Sequence, residues 1–100
     1  MLDRLQVGDW AVEPALNQLS SAGQTVKLEP RVMSVLVYLA DRPGQVVSRE
    51  ELLSAVWSGM VVGDDSLTQA VIKLRKALGD AYENLVQTVR GTGYRFSTKA

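Results

Sequence analysis

Between Leu67 and Leu78 the apolar residues Leu67, Val71, Leu74 and Leu78 fall at i, i+4, i+7 and i+11, and Gly79 follows the last of them. That spacing draws one apolar stripe along a helix, a stripe that has to be buried against something else in the chain. Gly79 stands where a left-handed cap residue belongs, and Asp64 or Asp65 is placed to cap the start. Beyond Gly79 the helical period stops. Leu85 to Val89 and Tyr94 to Phe96 read as two strands around Arg90-Gly91-Thr92-Gly93, whose glycines permit positive φ and a close approach of backbone to a partner.

The partners of the stripe lie upstream. Leu5 to Val7, Trp10 to Val12, Asn17 to Ser20 and Thr25 to Leu28 are short runs separated by turn residues, which predicts a small antiparallel sheet of three or four strands. Pro30 suits the first turn of a helix. Met33, Leu36, Val37 and Ala40, widened by Val32, Val35 and Leu39, leave that helix little polar surface, so it belongs in the middle of the core. Arg42-Pro43-Gly44 ends it, and Gln45 to Val47 leaves room for one short strand or bridge. Ser48-Arg49-Glu50-Glu51 is a capping box that starts a second helix at Arg49. Its buried side is Leu52, Leu53, Val56 and Trp57, and Ser58 to Asp64, with two glycines, reads as a loop.

The 100 residues, 46% of them hydrophobic, suffice for one domain over 1–100, with a sheet in 1–28, a three-helix core in 29–79 and a hairpin in 85–97. There is no cysteine and no histidine, which removes disulfides, thiol nucleophiles, histidine catalysis and cysteine-bearing zinc sites. Asp64-Asp65 is better explained by helix capping than by acid–base or metal chemistry. An enzyme is not expected, and no cofactor or metal is implied. Met1-Leu2-Asp3-Arg4-Leu5 lacks the basic region and long apolar run of a signal peptide, and no stretch is apolar enough to span a membrane. A soluble, cytoplasmic segment without membrane contact is expected.

Charge is sorted along the chain although it sums to zero. Residues 1–65 carry five basic and nine acidic side chains, whereas residues 66–100 carry six basic and two acidic. On the helix that follows Asp65, the row Thr68, Gln69, Ile72, Lys73 and Lys76 lies away from the apolar stripe and contains no acid. Lysines neutralise phosphates, Thr and Gln reach base edges, and an aliphatic group meets a thymine methyl. The glycine-flanked Arg90 is suited to a narrow minor groove. Two helices followed by a basic hairpin describe a winged helix-turn-helix with its second helix in the major groove. The rival reading is a protein-binding module without DNA, for which Met60, Val61, Val62 and Ile72 are the exposed apolar candidates.

Three stretches resemble the OmpR/PhoB-type winged-helix DNA-binding domain. They are Val46-Val47-Ser48-Arg49-Glu50-Glu51-Leu52-Leu53 with Val56-Trp57, then Lys73-Leu74-Arg75-Lys76-Ala77-Leu78, then Val86-Gln87-Thr88-Val89-Arg90-Gly91-Thr92-Gly93-Tyr94-Arg95-Phe96. The resemblance covers nearly the whole chain. It implies an α+β winged helix-turn-helix with an N-terminal antiparallel sheet, three helices and a C-terminal β-hairpin wing, acting as the output domain of a bacterial transcriptional regulator. The DNA contacts it implies, together with those read from the helix face, are Ser66, Thr68, Gln69, Ile72, Lys73, Lys76, Thr88, Arg90, Gly91, Thr92 and Tyr94. Tandem head-to-tail copies on direct repeats of double-stranded DNA, and an RNA polymerase contact through the 58–64 loop, are implied as well. Thr68-Gln69 and Leu28-Glu29-Pro30-Arg31 look more like the membrane-anchored activators of the CadC and ToxR sort than like response regulators, many of which carry a basic residue where this chain has Asp65. On that likeness the parent protein would be held in the inner membrane by a span beyond Ala100.

Overall fold

The computed structural model describes residues 5–97; Met1 to Arg4 and Thr98 to Ala100, and with them most of the stretch read as free of a signal peptide, lie outside the described residues. Strands β1 (Leu5–Val7), β2 (Trp10–Glu13), β3 (Gln18–Ser21) and β4 (Gln24–Lys27) form an antiparallel sheet in the order β1-β2-β3-β4. Tight local turns set its register. Ala22 and Gly23 between β3 and β4 both take positive φ, 47° and 82°, the hand that matches strand twist in a two-residue hairpin. Pro14–Leu16 forms a 3₁₀ turn, closed by left-handed Asn17, whose N–H donates to the Pro14 carbonyl at 3.1 Å.

Helix α1 (Pro30–Ala40) follows, with Val32, Met33, Val35, Leu36, Leu39 and Ala40 buried, as the near-absence of a polar face requires. Strand β5 (Val46–Ser48) leads directly into α2 (Arg49–Val56), where the Glu51 N–H donates to the Ser48 hydroxyl at 3.0 Å. Only that arm of the capping box is formed. The Glu51 carboxylate is instead engaged by the Tyr38 hydroxyl of α1. Helix α3 (Asp64–Leu78), a 3₁₀ segment over Asp80–Leu85, β6 (Val86–Val89) and β7 (Gly93–Phe96) complete the described chain. The second sheet has the order β5-β7-β6, with Val47 opposite Tyr94 and Ser48 opposite Gly93.

Four expectations need correction. The N-cap of α3 is Gly63 in extended backbone, with no side-chain cap; Asp64 and Asp65 already lie within the helix, so neither is the N-cap residue. Gly79 has positive φ but ψ of 166°, a glycine region distinct from the left-handed helical one. Leu85 closes the 3₁₀ segment rather than opening β6. Gly93 is a strand residue, buried against β5: a Cβ there would lie 2.0 Å from the Val47 carbonyl oxygen.

Buried residues of both sheets and all three helices form one cluster in which Leu19, Leu36, Leu39, Leu52, Leu67 and Leu74 are fully enclosed. The N-terminal sheet is keyed to the end of α3 by the Trp10 indole, whose Nε1 donates to the Leu78 carbonyl at 3.0 Å. Nearby, the Tyr82 hydroxyl donates to the Asp9 carboxylate at 2.7 Å. These contacts orient α3 so that its stripe faces inward and the opposite face is left to solvent.

Candidate nucleic-acid interface

Every residue of the α3 stripe is buried, Leu67, Val71, Leu74 and Leu78 each at 2% exposure or less. The helix therefore has one rotational setting, and that setting turns Gln69, Ile72, Lys73 and Lys76 outward. Ile72 is 49% exposed, well above what an aliphatic side chain needs for packing. Ser66 and Thr68 are half-buried along the edge of the same face. Among the described residues Lys76 has no hydrogen-bond or ion-pair partner, so its charge is available. Lys73 is held: its Nζ lies 3.0 Å from Glu29 Oε2. The acid-free row is acid-free in sequence only, because Glu29 reaches its edge from the start of α1.

The wing tip is a three-residue turn, Arg90-Gly91-Thr92, closed by the Thr92 N–H on the Val89 carbonyl at 3.0 Å, with Gly91 at φ 74°. All three residues are exposed, and among the described residues the Arg90 side chain has no partner. Arg75 is differently used. Its Nε and Nη2 donate to the Val86 carbonyl at 3.0 and 2.6 Å, and Nη2 also donates to Thr88 Oγ1 at 2.8 Å. One of the three basic residues at the end of α3 thus fastens the wing strand to the helix. Thr88 is exposed, but its hydroxyl oxygen is occupied by that contact.

Tyr94 departs from its expected place among surface contacts. It is only 5% exposed, on β7 against β5, and its hydroxyl accepts from Arg49 Nη1 at 2.8 Å. The residue that sequence reading missed is Arg49. Its backbone N–H donates to the Thr92 carbonyl at 3.2 Å, and its Nη2 donates to Thr68 Oγ1 at 2.9 Å. One side chain thereby joins α2, the wing and α3. The one local signal was a cation in the first turn of a helix, where it opposes the dipole, and that signal does not name its partners. With its oxygen accepting from Arg49, the Thr68 hydroxyl keeps its proton for an external acceptor.

The loop before α3 exposes Met60 at 51% and Val61 at 104%, whereas Val62 packs against the core and drops out of the exposed apolar set.

Comparison with known proteins decides the family. The model of "Transcriptional regulatory protein, C terminal" matches residues 23–96. The chain belongs to this family. It is a family of transcriptional regulators rather than of enzymes, and OmpR/PhoB-type relatives lie within it. The chain is 39% identical over 94 residues to the transcriptional activator CadC of Escherichia coli, covering 91% of this chain and 18% of that protein. It is also 39% identical over 97 residues to the phosphate regulon regulatory protein PhoB of Pseudomonas aeruginosa, covering 96% of this chain and 42% of that one. The chain therefore spans less than half the length of these family members. Among solved structures, the DNA-binding domain of E. coli CadC superposes with a TM-score of 0.85 at 38% identity, over 94% of this chain and 91% of that one. The Klebsiella pneumoniae RstA DNA-binding domain in complex with the RstA box gives 0.76 at 30% identity, over 96% and 98%. The winged-helix fold of the family is the fold of this chain. No helix among its described residues is long and apolar enough to cross a membrane.

Proposed function

We propose that the chain binds double-stranded DNA sequence-specifically, as the output domain of a bacterial transcriptional regulator. In this reading α3 lies in the major groove and Arg90 enters the adjacent minor groove. The observation that carries it is the pairing of one solvent-facing row on α3, with Gln69, Ile72 and Lys76 available, and an unpartnered arginine at the wing tip. A helix of this kind reads base edges with amide and aliphatic groups while lysines hold the backbone. The RstA domain in complex with its box supports this reading by likeness. Ser66, Thr68, Lys73, Thr88, Gly91 and Thr92 complete the surface, with Arg49 setting the angle between its two parts; buried Tyr94 serves through Arg49.

We take residues 1–100 as one folding unit that works on the cytoplasmic side, where DNA is, in a parent of either the membrane-anchored or the response-regulator kind, since the identity to CadC and to PhoB is the same 39%. The sorted charge favours head-to-tail copies on direct repeats, an acidic N-terminal part beside a basic C-terminal part. Met60 and Val61, apolar and exposed, suit the 58–64 loop to a protein contact such as RNA polymerase. The same pair would serve a protein-binding module that had no DNA role. Titration of a fluorescent duplex pool at several salt concentrations separates the two. DNA binding whose logarithm falls linearly with the logarithm of salt supports the first, and absence of binding at low salt overturns it.

A further inference from the structure

Glu29 is the N-cap residue of α1, in extended backbone at φ −65° and ψ 148°, yet its side chain makes no capping bond. The side chains that cap a helix well are the short ones of Ser, Thr, Asp and Asn, and the longer glutamate reaches past its own helix. It turns to Lys73 on α3, at 3.0 Å. Both side chains are open to water, at 64% and 51% exposure, so the pair adds little to stability. Its position is more telling. Glu29 and Lys73 line one depression of about 330 Å³ together with Asp65, Ser66 and Gln69, so the carboxylate sits beside the residues that would face bases.

We propose that Glu29 is an affinity-limiting residue of the DNA-binding surface, a carboxylate that competes with DNA phosphates for Lys73. The inference rests on the DNA-binding reading above. On a random duplex nearly all affinity comes from neutralised phosphates, and a lysine already paired with a carboxylate releases no counterion. On a preferred sequence the base contacts of Gln69 and its neighbours hold α3 in the groove. There the flexible lysine stem exchanges Glu29 for a phosphate. Breaking the pair costs affinity wherever Lys73 takes a phosphate, so Glu29 weakens binding to a preferred sequence at least as much as to a random one.

The test compares the parent chain, Glu29→Gln, Lys73→Met and the double variant on a random-sequence duplex and on a duplex enriched by selection with the parent. Glu29→Gln is expected to tighten random-duplex binding about two- to fivefold, the scale of an exposed ion pair. Its salt slope should steepen by up to about 0.9, one added phosphate contact. The selected duplex, on which Lys73 already takes a phosphate, should gain at least as much in affinity with no change in slope, and in the Lys73→Met background Glu29→Gln should change the affinity of neither duplex. Unaltered affinity for both duplexes, a gain confined to the random duplex, or a gain that persists without Lys73 would overturn the proposal while leaving DNA binding intact. A parent chain that binds neither duplex pool overturns the DNA reading and this inference with it. Because the expected effect is a gain, misfolding of the variant cannot imitate it.

Discussion

Arg75 grips Val86 with two N–H groups on one carbonyl, at 3.0 and 2.6 Å, so the last turns of α3 carry the first residue of the wing. Together with Arg49, which joins Thr68 and Tyr94, this contact fixes the angle between helix and wing. Replacing Arg75 by Met keeps the stem and removes the bonds. It should destabilise the fold by about 1–3 kcal/mol, the range for losing the partner of a part-buried carbonyl. Amide exchange along β6 should quicken, and DNA affinity should fall with no change in salt slope. A shallower slope would place Arg75 on a phosphate instead.

Arg90 has the opposite character, free at the wing tip. Arg90→Ala is expected to cost about 1–3 kcal/mol of affinity on a selected duplex, the size of one good groove contact. The cost on a random duplex should be smaller. Equal losses on both, measured by anisotropy at one salt concentration, would make it a phosphate contact.

Gln69 and Lys76 share the exposed row and should separate in their effects. Gln69→Ala should broaden the sequence preference found by selection from a random library. Lys76→Ala should leave the preference intact and flatten the salt slope by about 0.9. Two variants with the parental motif and slope would remove both from the interface.

Gly93→Ala tests the closure of the second sheet. The added methyl would meet the Val47 carbonyl oxygen at 2.0 Å, a clash with backbone that no side-chain rotation relieves. A loss of about 3 kcal/mol or more is expected, at or beyond the upper end of overpacking costs. It should appear as a drop in thermal midpoint, and a midpoint unchanged from the parent would refute the β5–β7 approach.

Alkaline stability depends on Tyr82 and Tyr38. The Tyr82 hydroxyl is raised above its ordinary pKa of 10.0, first because ionisation would forfeit its bond to the Asp9 carboxylate. Tyr38 is raised likewise, chiefly by its bond to Glu51. A raised folded pKa means that the native state holds its proton more tightly, so this contribution is intact below pH 10 and is lost as pH climbs through the folded values. The chain should weaken above about pH 10, and Tyr82→Phe should lose part of that dependence. Denaturant midpoints from pH 8 to 11 that run parallel in the two proteins would contradict it.

Local signals were legible and distant ones were not. The stripe from Leu67 to Leu78, the Ser48 cap and the four short strands follow from periodicity and turn chemistry within a few residues. Gln45 to Val47 offered only a short strand or bridge, and the observed strand, Val46–Ser48, finds its partner far away in Gly93–Phe96. Gly93 looked like turn flexibility because nothing nearby announces β5. For the same reason three long side chains were misjudged. Arg49, Arg75 and Glu29 spend their charge on residues 19, 11 and 44 positions away, and no spacing rule within one helix reveals such partners.

The placement of β7 at the centre of its sheet bears on how the protein comes off the ribosome. The N-terminal sheet is a meander, each strand beside the one made just before it, and it can assemble while synthesis continues. Strand β5 cannot. It must wait, with no strand on either side, until α2, α3 and β6 have been made and the chain has returned with Tyr94 and Arg95. Long-range pairing of this kind is slow and leaves an open edge in the meantime. A nascent chain stalled before Gly93 would hold a finished sheet, loosely associated helices and an unsatisfied strand, which makes that interval the one in which a chaperone has most to protect.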